Sequence, residues 1–148
     1  MTSFFPDLNV WIALSVSGHS HSVEAWTWFE SLPTAARLIF CRYTQVGLLR
    51  LLTSQAAMRE ETLTVKQAWA VYDRWLNDPR IEFHPEPNGL DAAFRQATVP
   101  FYGHRAAKSI GDCYLLAHAI ESGAPLVTFD QALLALARKQ GHAAILPG

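Results

Sequence analysis

The stretch KSIGDCYLLAHAIESGAPLVTFD, residues 108–130, decides the fold class of this 148-residue chain. Its first half repeats apolar residues at helical spacing, at Cys113, Leu116, Ala117 and Ile120. Gly123 then provides a helix stop signal, and the short apolar run Pro125–Phe129 predicts a strand that ends at Asp130. A helix that leads directly into a strand is the unit from which parallel sheets with helical faces are built.

Four further short apolar runs predict strands elsewhere in the chain. The four runs are Ser3–Phe5, where a first strand begins, Leu38–Cys41, Ile81–His84 and Ala143–Leu146. Helical periodicity lies between them, at Val65, Trp69, Tyr72 and Leu76 and again at Leu90, Ala93, Phe94 and Ala97. This alternation predicts an α/β fold, with a mostly parallel central sheet of about five strands sandwiched between helices in a single domain over residues 1–148.

Composition and cysteine spacing argue against a CxxC metal or redox site, a secreted protein and a membrane-spanning protein. Half of the residues are hydrophobic and the formal net charge is −1, so a core can form and any basic surface must be local. Cys41 and Cys113 lie in or beside apolar runs without a CxxC motif, which predicts buried thiols in a reducing cytoplasm. We find no convincing signal peptide and no apolar run near the ~20 residues that span a bilayer, so we expect a cytoplasmic protein without membrane contact.

Three aspartates stand where a strand or loop passes into a helix. Asp7 and Asp130 each follow a predicted strand, and we expect Asp112 to stand at the head of an apolar helix. Sites in open α/β sheets form outside the carboxyl ends of the strands, so the three side chains are expected to meet at one edge.

Convergent carboxylates predict a divalent cation. Acids held close together repel each other unless a cation intervenes. Mg²⁺ and Mn²⁺ prefer oxygen ligands, and without a His or Cys cluster they suit this set better than zinc. A metal ion held there can activate water and neutralise charge on a scissile phosphate, which indicates a metal-dependent nuclease.

Helix capping is the alternative interpretation of the same aspartates. Aspartate is a preferred N-cap residue, and Asp7 and Asp130 could cap helices that begin at the next residue. Asp112 lies three residues after Ser109, which matches a capping-box pattern. The two roles are compatible, because a capping carboxylate can still face the solvent.

Together these segments resemble the PIN-domain ribonucleases, and within them the VapC-type toxins of bacterial toxin–antitoxin pairs. The resemblance covers nearly the whole chain. It rests on Asp7 in PDLNVWIAL, on Asp112 in IGDCYLLAHAIESGA, on Thr128 and Asp130 in LVTFD, and on the segments HSHSVEAWTWF and YTQVGLLRLLT. It implies a PIN-like sandwich and an endoribonuclease in which Asp7, Asp112 and Asp130 hold Mg²⁺ or Mn²⁺. It also implies a cognate antitoxin and a homodimer.

One position departs from the family pattern, which places a glutamate on the helix after the second strand. Gln45 stands there, and its amide oxygen can bind a metal-bound water but carries no charge. Alternatively, Gln45 is an ordinary solvated helix residue. Loss of the fourth acid supports a second hypothesis, in which the chain is a catalytically weak or inactive PIN-like module that binds RNA or protein.

Arg50, Lys108 and Arg105 are candidates for contact with an RNA backbone, and Thr128 is a further substrate-binding candidate. Arg50 lies in the apolar segment VGLLRLLT, where burial of an unpaired charge is costly, so we expect it to reach the acidic site or a partner carboxylate. Lys108 precedes Asp112 by four residues. For Lys108 and Arg105 the alternative is a solvated side chain, and for Arg50 it is a structural ion pair.

Overall fold

The structure is a computed structural model that describes residues 2–148. Its five strands are β1 (Ser3–Pro6), β2 (Arg37–Phe40), β3 (Ile81–Phe83), β4 (Leu126–Val127) and β5 (Ala144–Ile145). They pair in the order β3-β2-β1-β4-β5, and every pair is parallel. The five predicted strands are confirmed: β3, β4 and β5 are shorter than predicted, β1 extends one residue further to Pro6, and β2 is shifted by one residue toward the N-terminus. The sheet is parallel throughout rather than mostly so.

Eight α-helices connect these strands within the described residues. They are α1 (Leu8–Ser15), α2 (Ser22–Ser31), α3 (Arg42–Leu52), α4 (Gln55–Met58), α5 (Val65–Leu76), α6 (Leu90–Thr98), α7 (Ala107–Glu121) and α8 (Gln131–Lys139). Two short 3₁₀ segments cover Arg59–Glu61 and Val99–Phe101. Over residues 2–148, no helix has both the length and the apolar character required to cross a bilayer.

The core lies on both faces of the sheet, which confirms the three-layer sandwich. Helices α1, α2, α3 and α5 cover one face, where the Trp11 ring stacks on Phe40 at 3.8 Å between centroids. Helices α7 and α8 cover the other face around Phe5, and α6 packs on α7. Each large apolar side chain buried this way contributes about 1.5–3 kcal/mol. Cys41 and Cys113 are free and buried, as predicted.

Strand register places two chain segments side by side at the carboxyl edge of the sheet. Pro6 at the end of β1 pairs with Val127 at the end of β4. The Asp7 amide then donates to the Val127 carbonyl at 2.8 Å. Asp7 and Thr128, the residues that follow these two strands, are therefore neighbours.

The expected helix start at Asp112 is wrong. Helix α7 begins at Ala107, with Ala106 at the N-cap position and no side-chain cap hydrogen bond, so Asp112 lies in the helix interior. The capping box predicted from Ser109 is therefore absent as well. Ala107 and Lys108 are strong helix formers, and Gly111 does not interrupt the helix. The helix therefore begins well before Cys113, the first residue of the apolar repeat.

Candidate active site

Asp7 is held at the end of β1 by two hydrogen bonds. The Leu8 amide donates to its Oδ1 at 2.6 Å, which confirms the predicted helix cap, and the Thr128 hydroxyl donates to its Oδ2 at 2.8 Å. Only 8% of the residue is exposed. Burial raises the pKa of Asp7, the bonds from Thr128 and Leu8 oppose that rise, and the charge of Asp130 adds to it.

Thr128 connects three parts of the site. Its hydroxyl accepts from Asn9 Nδ2 at 3.1 Å and from the Asp130 amide at 3.0 Å, in addition to its bond to Asp7. The side chain is fully buried. Thr128 is therefore a positioning residue behind the acids, not the substrate contact expected from sequence. Asn9 was not predicted as a site residue; its place in the first turn of α1, two residues after Asp7, was the available signal.

Asp130 caps α8, as the alternative interpretation predicted. Its Oδ1 accepts from the amides of Ala132 at 2.8 Å and Leu133 at 3.2 Å. Both bonds use the same oxygen, so Oδ2 remains for a ligand. The capping role and the site role are compatible at this position.

Asp112 projects from α7 and is half-buried. Its pKa is raised to about 6, first by burial, then by the charge of Asp130 and then by that of Asp7. Within residues 2–148 no hydrogen-bond donor offsets that rise. The three aspartates are therefore close enough for their charges to repel.

The chemistry of this set fits a hard divalent cation. All three side chains offer oxygen, and the repulsion at Asp112 is the kind that a cation relieves. Across residues 2–148, however, no group of three or more His, Cys, Asp or Glu side chains is assembled closely enough to hold a metal ion. Mg²⁺ commonly takes one or two carboxylates and completes its shell with waters and phosphate oxygens. The full three-aspartate ligand set stays a prediction.

Gln45 lies on α3 and is buried, so the alternative of a solvated helix residue is wrong. Its Oε1 accepts from Arg42 Nη1 at 2.5 Å, and the Tyr72 phenol lies beside it. The Arg42 guanidinium rests over the Phe83 ring, 4.6 Å from its centroid. In the described chain no hydrogen bond joins Gln45 to the three aspartates.

The predicted cations lie on the surface. Lys108 and Asp112 are four residues apart on α7 and so share a helix face. Arg50 and Arg105 are exposed, and none of the three makes an ion pair with another of residues 2–148. The partner carboxylate expected for Arg50 is therefore absent from the described chain, because the side chain leaves α3 toward water rather than the core.

Comparison with known proteins places this chain in a family. The model of the PIN domain matches residues 4–139, and the chain belongs to the PIN domain family. Within that family it groups with the VapC ribonucleases. It is 40% identical over 130 residues to Ribonuclease VapC41 of Mycobacterium tuberculosis, an alignment that covers 85% of this chain and 88% of the relative.

Solved structures agree on the fold. The VapC20 toxin of Mycobacterium tuberculosis, described as cleaving the sarcin-ricin loop, superposes with a TM-score of 0.70 at 18% identity, covering 97% of this chain and 99% of that one. VapBC-1 from nontypeable Haemophilus influenzae gives a TM-score of 0.63 at 16% identity, covering 93% and 94%. Identities this low establish a shared fold only. The substrate of this protein has to be inferred from the residues of its site.

Proposed function

We propose that this protein is a metal-dependent endoribonuclease that acts as the toxin of a toxin–antitoxin pair. One observation carries the proposal: the Thr128 hydroxyl bonds both Asp7 Oδ2 and the Asp130 amide at the carboxyl edge of the sheet, and the charges of these two acids add to the raised pKa of Asp112. Family membership and the relative named a ribonuclease support RNA as the substrate.

The three aspartates would hold Mg²⁺ or Mn²⁺. The ion, when bound, lowers the pKa of a bound water and neutralises charge that develops on the scissile phosphate. The chain's own part is to fix the acids. Thr128 and the Leu8 amide hold both oxygens of Asp7, and the start of α8 holds one oxygen of Asp130. Gln45, paired with Arg42, is available to orient water.

Cationic side chains would bind the RNA backbone. Lys108 shares a helix face with Asp112, and Arg105 is exposed just before α7. Arg50 is exposed on α3. Phosphate contacts of this kind position a nucleic acid and carry little sequence information, so these residues would set affinity and not the choice of RNA.

A cognate antitoxin and a homodimer complete the proposal. Solved relatives include VapBC-1 and VapBC2, the second bound to a DNA fragment from the promoter of the pair. Val65, Trp69 and Leu76 leave apolar surface exposed on α5, and Val46 does so on α3. Exposed apolar patches of this kind mark protein interfaces. We place the protein in the cytoplasm, where its RNA substrate is found.

A non-catalytic RNA-binding module is the second candidate. Two observations favour it: Gln45 replaces the expected glutamate, and no three-ligand metal group is assembled among residues 2–148. The two candidates differ in turnover, because only the nuclease would cut RNA.

Product end groups test the proposal. Wild-type protein is incubated with end-labelled RNA and Mn²⁺, and the new termini are analysed. Attack by water with departure of the 3′ oxygen, which the family resemblance implies, leaves a 3′ hydroxyl and a 5′ phosphate. A 2′,3′-cyclic phosphate would show attack by the neighbouring ribose hydroxyl and would contradict the mechanism. Binding without any new termini would favour the non-catalytic module.

A further inference from the structure

An open groove of about 440 Å³ lies between α3, α7 and the start of α1. We call it the α3 groove; the side chains that line it and matter below are Leu8, Arg42, Tyr43, Arg50, Glu86 and Tyr114. It combines cationic and aromatic side chains, which is the pairing that single-stranded nucleic acids require. Nothing in the mechanism above uses its aromatic wall.

Two tyrosines form that wall. The rings of Tyr43 and Tyr114 stack with 5.2 Å between centroids and 25° between planes. The Tyr114 hydroxyl donates to Glu86 Oε1 at 2.9 Å, and Phe94 packs edge-on against its ring, so the platform is fixed from behind. Tyr43 nevertheless remains 46% exposed. A flat group can therefore reach the Tyr43 ring without displacing any core residue.

The groove is bordered by the sequence neighbours of two of the three acids. Leu8, in its wall, directly follows Asp7. The Tyr43 hydroxyl lies against Gly111, which directly precedes Asp112; a Cβ at position 111 would overlap that hydroxyl. A chain bound in the groove would therefore lie against residues that adjoin Asp7 and Asp112 in the sequence.

Charge in the groove suits a polyanion. Arg42 and Arg50 lie two helical turns apart on one face of α3, and neither makes an ion pair with another described residue. Glu86, the carboxylate of the lining set, already accepts the Tyr114 hydroxyl. Arg50 therefore remains available for a phosphate that flanks a stacked base, and Arg42, which donates from Nη1 to Gln45, keeps further N–H donors for another.

We propose that the α3 groove is the substrate subsite in which one unpaired base of a single-stranded RNA stacks on Tyr43 while Arg42 and Arg50 bind the adjoining phosphates. This rests on the proposed nuclease function for the identity of the polymer. Gly111 is a positioning residue in this account, because its missing side chain makes room for the Tyr43 hydroxyl.

Binding is measured without turnover, in EDTA, with a short mixed-sequence single-stranded RNA. Loss of a base stack predicts that Tyr43→Leu weakens binding by roughly 5- to 150-fold. Tyr43→Phe keeps the ring and should bind like wild type. Tyr102→Leu is the matched control, because Tyr102 is a 72% exposed tyrosine outside the groove. Circular dichroism confirms that each variant is folded.

Stacking itself is read from 2-aminopurine placed at successive positions of the RNA. We expect quenching at a discrete position with wild type and Tyr43→Phe, and none with Tyr43→Leu. Gly111→Ala should weaken binding in the wild-type background and have a much smaller effect in the Tyr43→Phe background, since the overlapping hydroxyl is then gone and only the ring carbon, 3.3 Å from the new Cβ, remains close. A merely structural role for Tyr43 would not produce quenching at a discrete position of the RNA.

The results separate this proposal from the nuclease proposal. If Tyr43→Leu binds and quenches as wild type does while RNA is still cut in Mn²⁺, the groove assignment is overturned and the nuclease stands. If Tyr43→Leu loses binding while wild type cuts no RNA, the groove stands and the nuclease fails. If Tyr43→Leu keeps RNA binding but loses a protein that co-purifies with wild type, the groove belongs to a protein partner and the proposal is overturned.

Discussion

The Thr128 hydroxyl donates a 2.8 Å hydrogen bond to Asp7 Oδ2, joining residues 121 positions apart at the carboxyl ends of adjacent strands. Asp7 is nearly inaccessible to water, so this bond and the one from Leu8 replace its hydration. The same hydroxyl accepts the Asp130 amide, so one side chain fixes the spacing of two of the three acids.

Thr128→Val should lower the free energy of unfolding at neutral pH by about 1–3 kcal/mol, because a buried carboxylate loses a donor. The pKa of Asp7, already raised by burial, should rise further. The deficit should therefore be largest at neutral pH and shrink as the pH falls through the raised folded-state pKa of Asp7, below which the folded carboxyl is protonated in both proteins. Urea unfolding across this range measures it. Thr128→Ser keeps the hydroxyl and is the control; an equal deficit in both variants would contradict the prediction.

Asp112→Asn should raise the free energy of unfolding at neutral pH while removing activity. The folded-state pKa of Asp112, about 6, lies above the ordinary 3.8, so its charge lowers stability as the pH rises from about 4 to about 6. After allowance for solvent screening, the gain is on the order of 1 kcal/mol. This gain in the free energy of unfolding should disappear below about pH 4. Mg²⁺ should raise the melting temperature of wild type but not of Asp112→Asn; an equal rise in both would place the ion elsewhere.

His118 should give the opposite pH dependence. Its ring is fully buried on α7 against Phe5, and burial lowers its pKa from 6.5. The unfolded state therefore takes up a proton first, and stability is lost as the pH falls through about 6.5. His118→Leu should flatten this acid limb whatever its stability at neutral pH. Chemical denaturation at pH 7 and pH 5 tests it, and an unchanged difference between the two would show that other groups cause the loss.

Gln45→Glu should change metal affinity little. The carboxylate would pair with Arg42, whose guanidinium is already held by Phe83 and by the Gln45 amide. Titration of Mn²⁺ by calorimetry, compared with wild type, measures the effect. A gain of tenfold or more, about 1.4 kcal/mol, would show that position 45 acts with the aspartates and that the missing acid limits this site.

Local signals made much of the fold predictable. Each predicted strand is a short apolar run, and the caps at Asp7 and Asp130 follow from residues next to them. The start of α7 was missed because the residues before Asp112 favour helix as strongly as those after it.

Residue types and their order predicted the acids of the site but not the contacts between them. Sequence order identified three acids, but the buried bond from Thr128 to Asp7 and the stack of Tyr43 on Tyr114 join distant segments. The exposure of Arg50 and the burial of Gln45 likewise depend on contacts between distant segments. Arg50 stands in an apolar segment yet points to water, and Gln45 is a polar residue that the fold buries against Arg42.

Cleavage of total cellular RNA by wild type and by Asp112→Asn, each with Mn²⁺, Mg²⁺ or EDTA, tests the central claim most directly. Both proteins are first shown to be folded by circular dichroism. We predict discrete fragments from wild type with either metal ion, and none with EDTA or from Asp112→Asn. Fragments that persist in EDTA, or that Asp112→Asn produces as fast as wild type, would contradict a metal-dependent nuclease built on these aspartates.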